Sequence, residues 1–190
     1  MGNRDLEKLL KNIVVLVDSR EKSNKHILDY FEKQGIKYKI FTLKYGDYSC
    51  ILNDQDLKLD FREVVSIERK NSLDELVGNL TRYRERFEKE FSRSKGKMYL
   101  MVEGASYSDI LNHNYKSAMY PKALLGSIKS FEVRYSLNSN FIKKCEAGNF
   151  IYWTLRAYVR EYLKNKDSEV KVVGNNDRKS TSSQKNIKRV

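Results

Sequence analysis

The sequence predicts an α/β fold, with a mixed central β-sheet flanked by helices, in one domain over residues 1–165. Three observations predict it. Two short continuous apolar runs, IVVLV at 13–17 and MYLMV at 98–102, have the pattern of strands buried on both faces. Alternating or β-rich runs lie between them, at 36–43, 48–52 and 62–70. Segments with apolar residues three and four apart separate these runs, so strands and helices interleave.

Taken in order, the first run ends in Asp18-Ser19-Arg20-Glu21. A helix over 24–34 follows, with His26, Ile27, Tyr30 and Phe31 at helical spacing and Gly35 as its stop. IKYKIFTL (36–43) alternates as a strand, Gly46-Asp47 turns the chain, and YSCIL (48–52) is the next strand. Asn53-Asp54 turns it again, and a short segment near 56–61 leads into the strand 62–70. Ser72-Leu73-Asp74-Glu75 then fits a capping box, serine at the cap and glutamate three residues on. Leu73, Leu76, Val77, Leu80, Tyr83 and Phe87 mark the apolar face of the helix it starts, and Asn79, Arg82, Arg86, Lys89 and Arg93 mark the other. The run 98–102 ends at Glu103-Gly104. A helix starts near Pro121, a short strand lies near 140–144, and an aromatic-rich helix spans 147–164. Residues 166–190 are polar, with seven basic residues against three acidic ones, and are expected to form a disordered basic tail.

Composition narrows the function classes. The chain has 190 residues, 40% of them hydrophobic, enough for one domain with a core. Lys and Arg number 37 against 25 Asp and Glu, a net charge of +12, which suggests a polyanionic partner such as nucleic acid. The two cysteines, Cys50 and Cys145, form no CxxC pair, so neither a zinc site nor a disulfide framework is indicated. The start MGNRDLEKLL lacks the apolar stretch of a signal peptide, and Leu6 breaks the myristoylation pattern. No apolar run approaches the roughly 20 residues of a membrane span. The expected location is intracellular: cytoplasm or nucleoid in a microbe or virus, nucleus in a eukaryote.

The chemistry concentrates at VVSIERKNSLDEL (64–76). On a strand, Glu68 and Lys70 project to one face and Arg69 to the other. Asp47 supplies a second carboxylate from a turn, where Gly46 lets the backbone bend. Two carboxylates suit a hard cation such as Mg²⁺, which keeps several waters, and a nearby lysine can favour the deprotonated form of an attacking water. Phosphodiester hydrolysis needs this set.

Gly46-Asp47, then Glu68-Arg69-Lys70, then three residues and Asp74 resembles the GD…ERKxxxD signature of the XPF-type structure-specific endonucleases. Val17-Asp18-Ser19-Arg20-Glu21 is similar to that family's opening V-D-x-R-E, and Val102-Glu103-Gly104 to its later strand end. The resemblance covers roughly residues 12–165 and implies a restriction-endonuclease-like core. It implies a DNA endonuclease dependent on Mg²⁺ or Mn²⁺, acting on branched, flap or nicked DNA in repair, recombination or replication. It implies Asp47 and Glu68 as metal ligands with the Arg69 carbonyl, Lys70 as the catalytic lysine, and Asp18 at the metal or beside it. Arg20 and Arg69 would contact phosphate or lock the acids, and Asp74 would tether Arg69 or Lys70.

Plainer roles compete residue by residue. Asp74 also suits a helix N-terminus by its charge, Arg69 suits a strand-face ion pair, and Glu21 suits a surface acid. Arg82 and Arg86 fit either phosphate contacts or a solvated helix face. His26 and His113 read as ordinary surface or core residues. Phe150, Trp153, Tyr158 and Tyr162 suit a core, a dimer face or stacking on bases. Large members of the family add a tandem helix-hairpin-helix domain, and nothing after residue 165 fits one, so the basic tail or another chain, as a homodimer or a partner subunit, is the expected source of extra grip. Other functions consistent with the sequence are a sequence-specific or defence endonuclease, a non-catalytic DNA-binding subunit, and, lower, an RNA-processing enzyme. DNA affinity should fall steeply as salt rises, and deleting residues 166–190 should flatten that slope; a filter-binding salt titration reads both, and an unchanged slope removes the tail from DNA contact.

Overall fold

The computed structural model describes the backbone of residues 2–183. Its centre is a seven-stranded sheet of β1 (Ile13–Asp18), β2 (Tyr38–Phe41), β3 (Tyr48–Asn53), β4 (Lys58–Asp60), β5 (Val65–Lys70), β6 (Lys97–Glu103) and β7 (Asn138–Ile142). The order is β2-β1-β3-β5-β6-β7, with β4 paired to β3 off this path. β1 runs parallel to β2 and antiparallel to β3; β3 meets β5 antiparallel; β5, β6 and β7 run parallel. The sheet is therefore mixed, as the sequence predicts. The strand expected over 62–70 begins only at Val65, because Val64 and Val65 donate their N–H groups back to the Phe61 carbonyl in a turn.

The period of two in β5 and β6 divides their side chains between two apolar layers. Val65, Ile67 and Met101 join one cluster with β1, with Ile27 and Phe31 of α2 (Lys25–Lys33), and with residues of α1 (Asn3–Leu10) and α7 (Ala147–Ser183). Met98, Leu100 and Val102 join the other, beneath α3 (Leu73–Leu80), α4 (Arg84–Arg93), α5 (Tyr107–Leu111) and α6 (Pro121–Tyr135). Tyr158 and Tyr162 of α7 stand edge-on to Phe61, so two of the aromatics on this helix are core. Phe150 packs at the edge of the same layer, and Trp153 is 52% exposed beneath Arg156.

Three differences from the sequence reading bear on the site. The helix expected to run on from Ser72 is broken at 81–83. Thr81 leaves helical geometry (φ −113°, ψ −86°) while its hydroxyl donates to the Val77 carbonyl at 2.7 Å, a side-chain bond that competes with the next backbone turn. The chain restarts as α4, which packs Phe87 and Phe91 against Phe131 and leaves Tyr83 exposed rather than in the core. The capping box is half formed: Ser72 Oγ accepts the Glu75 N–H, but the Glu75 carboxylate takes the N–H of Asn71, one residue before the cap. Helix α7 continues past residue 165 to Ser183, where the sequence expects a disordered tail, and no proline follows Pro121 to stop it; among the residues whose side chains are described, Leu163 is its last core residue. The remainder of the expected tail, 184–190, lies outside the described residues.

Cys50 is fully buried on β3, where burial pushes its thiol pKa up, while Cys145 is exposed. A chromogenic disulfide reagent should therefore titrate one thiol per chain in native buffer and two in urea. Two fast thiols in the native protein would contradict this packing.

Candidate active site

The site forms where β1, β3 and β5 end side by side. Gly46 makes it possible: its φ of +63° lies in the left-handed region, and a Cβ there would sit 3.0 Å from the Ile67 carbonyl oxygen and from Ser66 Cβ. This close approach sets Asp47 in line with both neighbouring strands. Its N–H donates to the Ile67 carbonyl at 2.9 Å, and its own carbonyl accepts the Asp18 N–H at 2.8 Å. Its carboxylate oxygen Oδ2 then takes the Arg69 N–H at 2.8 Å, substituting for a ladder bond beyond the one register pair, Tyr48 with Ile67, that joins β3 to β5.

Glu68 and Lys70 share a face, as the strand period requires, and Lys70 Nζ donates to Glu68 Oε1 at 2.6 Å. The ammonium also lies 4.9 Å from the centroid of the Phe87 ring. Burial pulls the Lys70 pKa down, but Glu68 outweighs it and the lysine stays charged above its ordinary value. Asp47 shows the opposite imbalance. Burial first, and the charge of Glu68 second, push its carboxyl well above the usual range. Among the described residues, Asp47 Oδ1 and Glu68 Oε2 take no hydrogen bond.

Arg69 points through the sheet to the other face. Its Nε and Nη2 form a fork on the two oxygens of Glu103, at 2.8 Å each, and Nη1 reaches Glu21 at 3.1 Å. Nη2 also donates to the Ser23 carbonyl at 3.2 Å, and His26 Nε2 lies 3.0 Å from Glu103 Oε1. Burial raises the cost of ionising Glu103, yet hydrogen bonds from Arg69 and His26 outweigh it and hold the carboxyl below its usual range. Of the roles weighed for Arg69, the geometry takes the buried ion pair; a phosphate contact has no room, since the residue is 4% exposed. Glu21 joins this pair, and its side chain is largely buried.

Asp18 is saturated. Oδ1 accepts the Arg20 N–H and Nε, and Oδ2 accepts Arg20 Nη2 and the Leu43 N–H. Burial acts against its ionisation, but these donors outweigh it and lower its pKa. It sits beside the site as a brace, each oxygen accepting two hydrogen bonds. Arg20 stays largely exposed at the rim.

Asp74 is the clearest departure from expectation. It does not tether Arg69 or Lys70; its carboxylate accepts the Lys116 N–H at 2.7 Å and holds the loop before α6. The helix start directs Asp74 to that loop and Glu75 to the site, where Glu75 lies 3.9 Å from Lys70. The cleft over these groups has a volume of about 790 Å³, and its walls carry Arg20, Lys44, Tyr45, Tyr83, Arg86, Lys89, Glu90 and Arg93 around Asp47, Glu68 and Lys70. Arg86 is thus at the cleft and Arg82 is outside its lining. Much of the basic stripe on α4 is neutralised along the helix, by Arg84–Glu88, Arg86–Glu90 and Lys89–Glu85. Sequence reading missed Glu90, whose carboxyl pKa is raised by burial and then by Glu68. Its spacing four residues after Arg86 was the available signal.

The free oxygens form an all-oxygen donor set of two carboxylates, with the Arg69 carbonyl next in the chain, which fits a hard divalent cation. Among the described residues, no cluster of three or more His, Cys, Asp or Glu side chains is arranged to hold a metal alone. A cation here would keep waters and take ligands from a substrate phosphate, as Mg²⁺ does.

A family model described as the ERCC4 domain matches residues 17–153. No curated protein matches the chain in sequence. Among solved structures, XPF from Aeropyrum pernix matches with a TM-score of 0.57 at 19% identity, covering 76% of this chain and 61% of that one. XPF from Aeropyrum pernix in complex with DNA matches with a TM-score of 0.57 at 18% identity, covering 78% and 66%. The chain therefore spans less than two thirds of the length of these structures, and the likeness is one of fold.

Removing Glu103 would strand the Arg69 guanidinium in the core. Glu103→Ala should cost about 3–5 kcal/mol in urea unfolding, as loss of one partner of a buried pair does. A loss below about 1 kcal/mol would show that the pair braces nothing.

Proposed function

The chain belongs to the ERCC4 domain family, and on that premise we propose that it is a divalent-metal-dependent endonuclease that hydrolyses phosphodiester bonds in DNA. The observation that carries the reading is the pairing of Glu68 with Lys70 at 2.6 Å on one strand face, with the Asp47 carboxylate fixed beside them by the Arg69 N–H. Supporting it are the net charge of +12 and the likeness in fold to a protein solved in complex with DNA.

In this reading Asp47 and Glu68 hold the cation through their free oxygens, with the Arg69 carbonyl. When bound, the cation neutralises phosphate charge and makes a water more acidic. Lys70 holds its charge beside Glu68 and orients the attacking water by hydrogen bonding, with its ammonium fixed against Phe87. Asp18 holds Arg20 at the rim, where its exposed guanidinium can meet a phosphate of the same strand. Arg86 and Arg93 offer further phosphate contacts from α4. Asp74 acts through the loop at Lys116 and takes no part in the chemistry. The substrates that suit the family resemblance are branched, flap or nicked DNA, in repair, recombination or replication.

The test is cleavage of end-labelled duplex, flap, fork and single-stranded DNA with Mg²⁺ or Mn²⁺. Parent protein should cut the branched forms, and Glu68→Gln or Lys70→Ala should slow cutting by about 10²- to 10⁴-fold while leaving DNA affinity in place. Variants that cut as fast as the parent would overturn the assignment.

A further inference from the structure

We propose that the cleft takes an unpaired stretch of DNA beside the scissile phosphate, with Tyr83 as a stacking platform for a base and Tyr45 as a second ring in the same lining. The inference rests on the nuclease reading and specifies what that site grips.

Tyr83 carries the argument. Its spacing from Leu76 and Leu80 marks it as a core residue of a continuous helix, yet the break at 81–83 turns it out, and it is 54% exposed at the wall of the cleft. A large aromatic ring left in water forgoes apolar burial. Tyr45 also lines the cleft, in the turn just before Gly46 and Asp47. Each ring stands beside a cation: Arg82 lies 5.9 Å from the Tyr83 centroid, and Lys44 lies 6.0 Å from that of Tyr45. Aromatic faces interleaved with cations are the chemistry of single-strand grooves, where rings stack on bases and cations follow the phosphates. A base pair within a duplex exposes only its edge, so a ring at this wall has nothing to stack on unless the strand is unpaired. The exposed aromatic of α7, Trp153, is absent from the cleft lining.

The test reads binding and stacking with the metal chelated, so no cutting is needed. The probe is a flap substrate carrying 2-aminopurine at the first unpaired nucleotide from the junction, together with oligo(dT) and a plain duplex. Parent protein should quench the 2-aminopurine fluorescence. Tyr83→Ala should abolish the quench and weaken oligo(dT) binding by roughly ten- to a hundred-fold, leaving duplex affinity unchanged, and Tyr83→Phe should restore both. The proposal falls if Tyr83→Ala quenches and binds like the parent, if duplex affinity falls equally, or if Tyr83→Phe behaves like Tyr83→Ala. A parent that stacks the probe but never cuts DNA with Mg²⁺ or Mn²⁺ would sink the nuclease reading and leave the stacking platform standing.

Discussion

Arg69 buries its guanidinium against both oxygens of Glu103, and this ion pair locks β5 to β6 on the side of the sheet opposite the cleft. The same residue offers its backbone N–H to Asp47, so one position of β5 sets a carboxylate on the cleft side and an anchor on the other. Glu21 and the Ser23 carbonyl bring the loop after β1 into the same anchor. With β5 held on its far face, Glu68 and Lys70 on the near face have a fixed register. Three consecutive charged residues in a fully buried strand would be untenable without this division.

The two faces solve their electrostatics differently. Around Arg69 the charges are matched: Arg69 with Glu103 and with Glu21, which also borders the cleft, and His26 against Glu103. At the cleft, Lys70 meets Glu68, but for Asp47 burial and the charge of Glu68 outweigh the Arg69 N–H and the more distant Lys70, and its ionisation is opposed. A positive charge placed between the carboxylates would relieve this imbalance. Sites built for chemistry carry such unbalanced groups, held in place by well-paired ones around them.

Much of this was legible in the sequence because it follows from local rules. Apolar runs placed β1 and β6, alternation placed Glu68 and Lys70 on one face, and Gly46 before Asp47 marked a turn that only glycine makes comfortably. The features that escaped depend on packing. The apolar spacing from Leu73 to Phe87 fits one helix, and only the packing of Phe87 and Phe91 on Phe131 selects the broken form. Asp74 and Glu75 are equivalent as helix-start acids; which one faces Lys70 depends on where the loop at Lys116 runs. The basic stripe on α4 looked free because each partner glutamate lies a turn away along the helix rather than beside its arginine or lysine.

In the proposed nuclease, Asp47 and Glu68 together hold a divalent cation. The most direct measurement is Mn²⁺ binding by electron paramagnetic resonance in the absence of DNA, on the parent, Asp47→Asn, Glu68→Gln and Asp74→Asn. Saturable binding is expected in the parent, lost in the first two variants and kept in Asp74→Asn. Binding that survives both carboxylate substitutions, or a parent that takes up no Mn²⁺ at millimolar concentration, would contradict it.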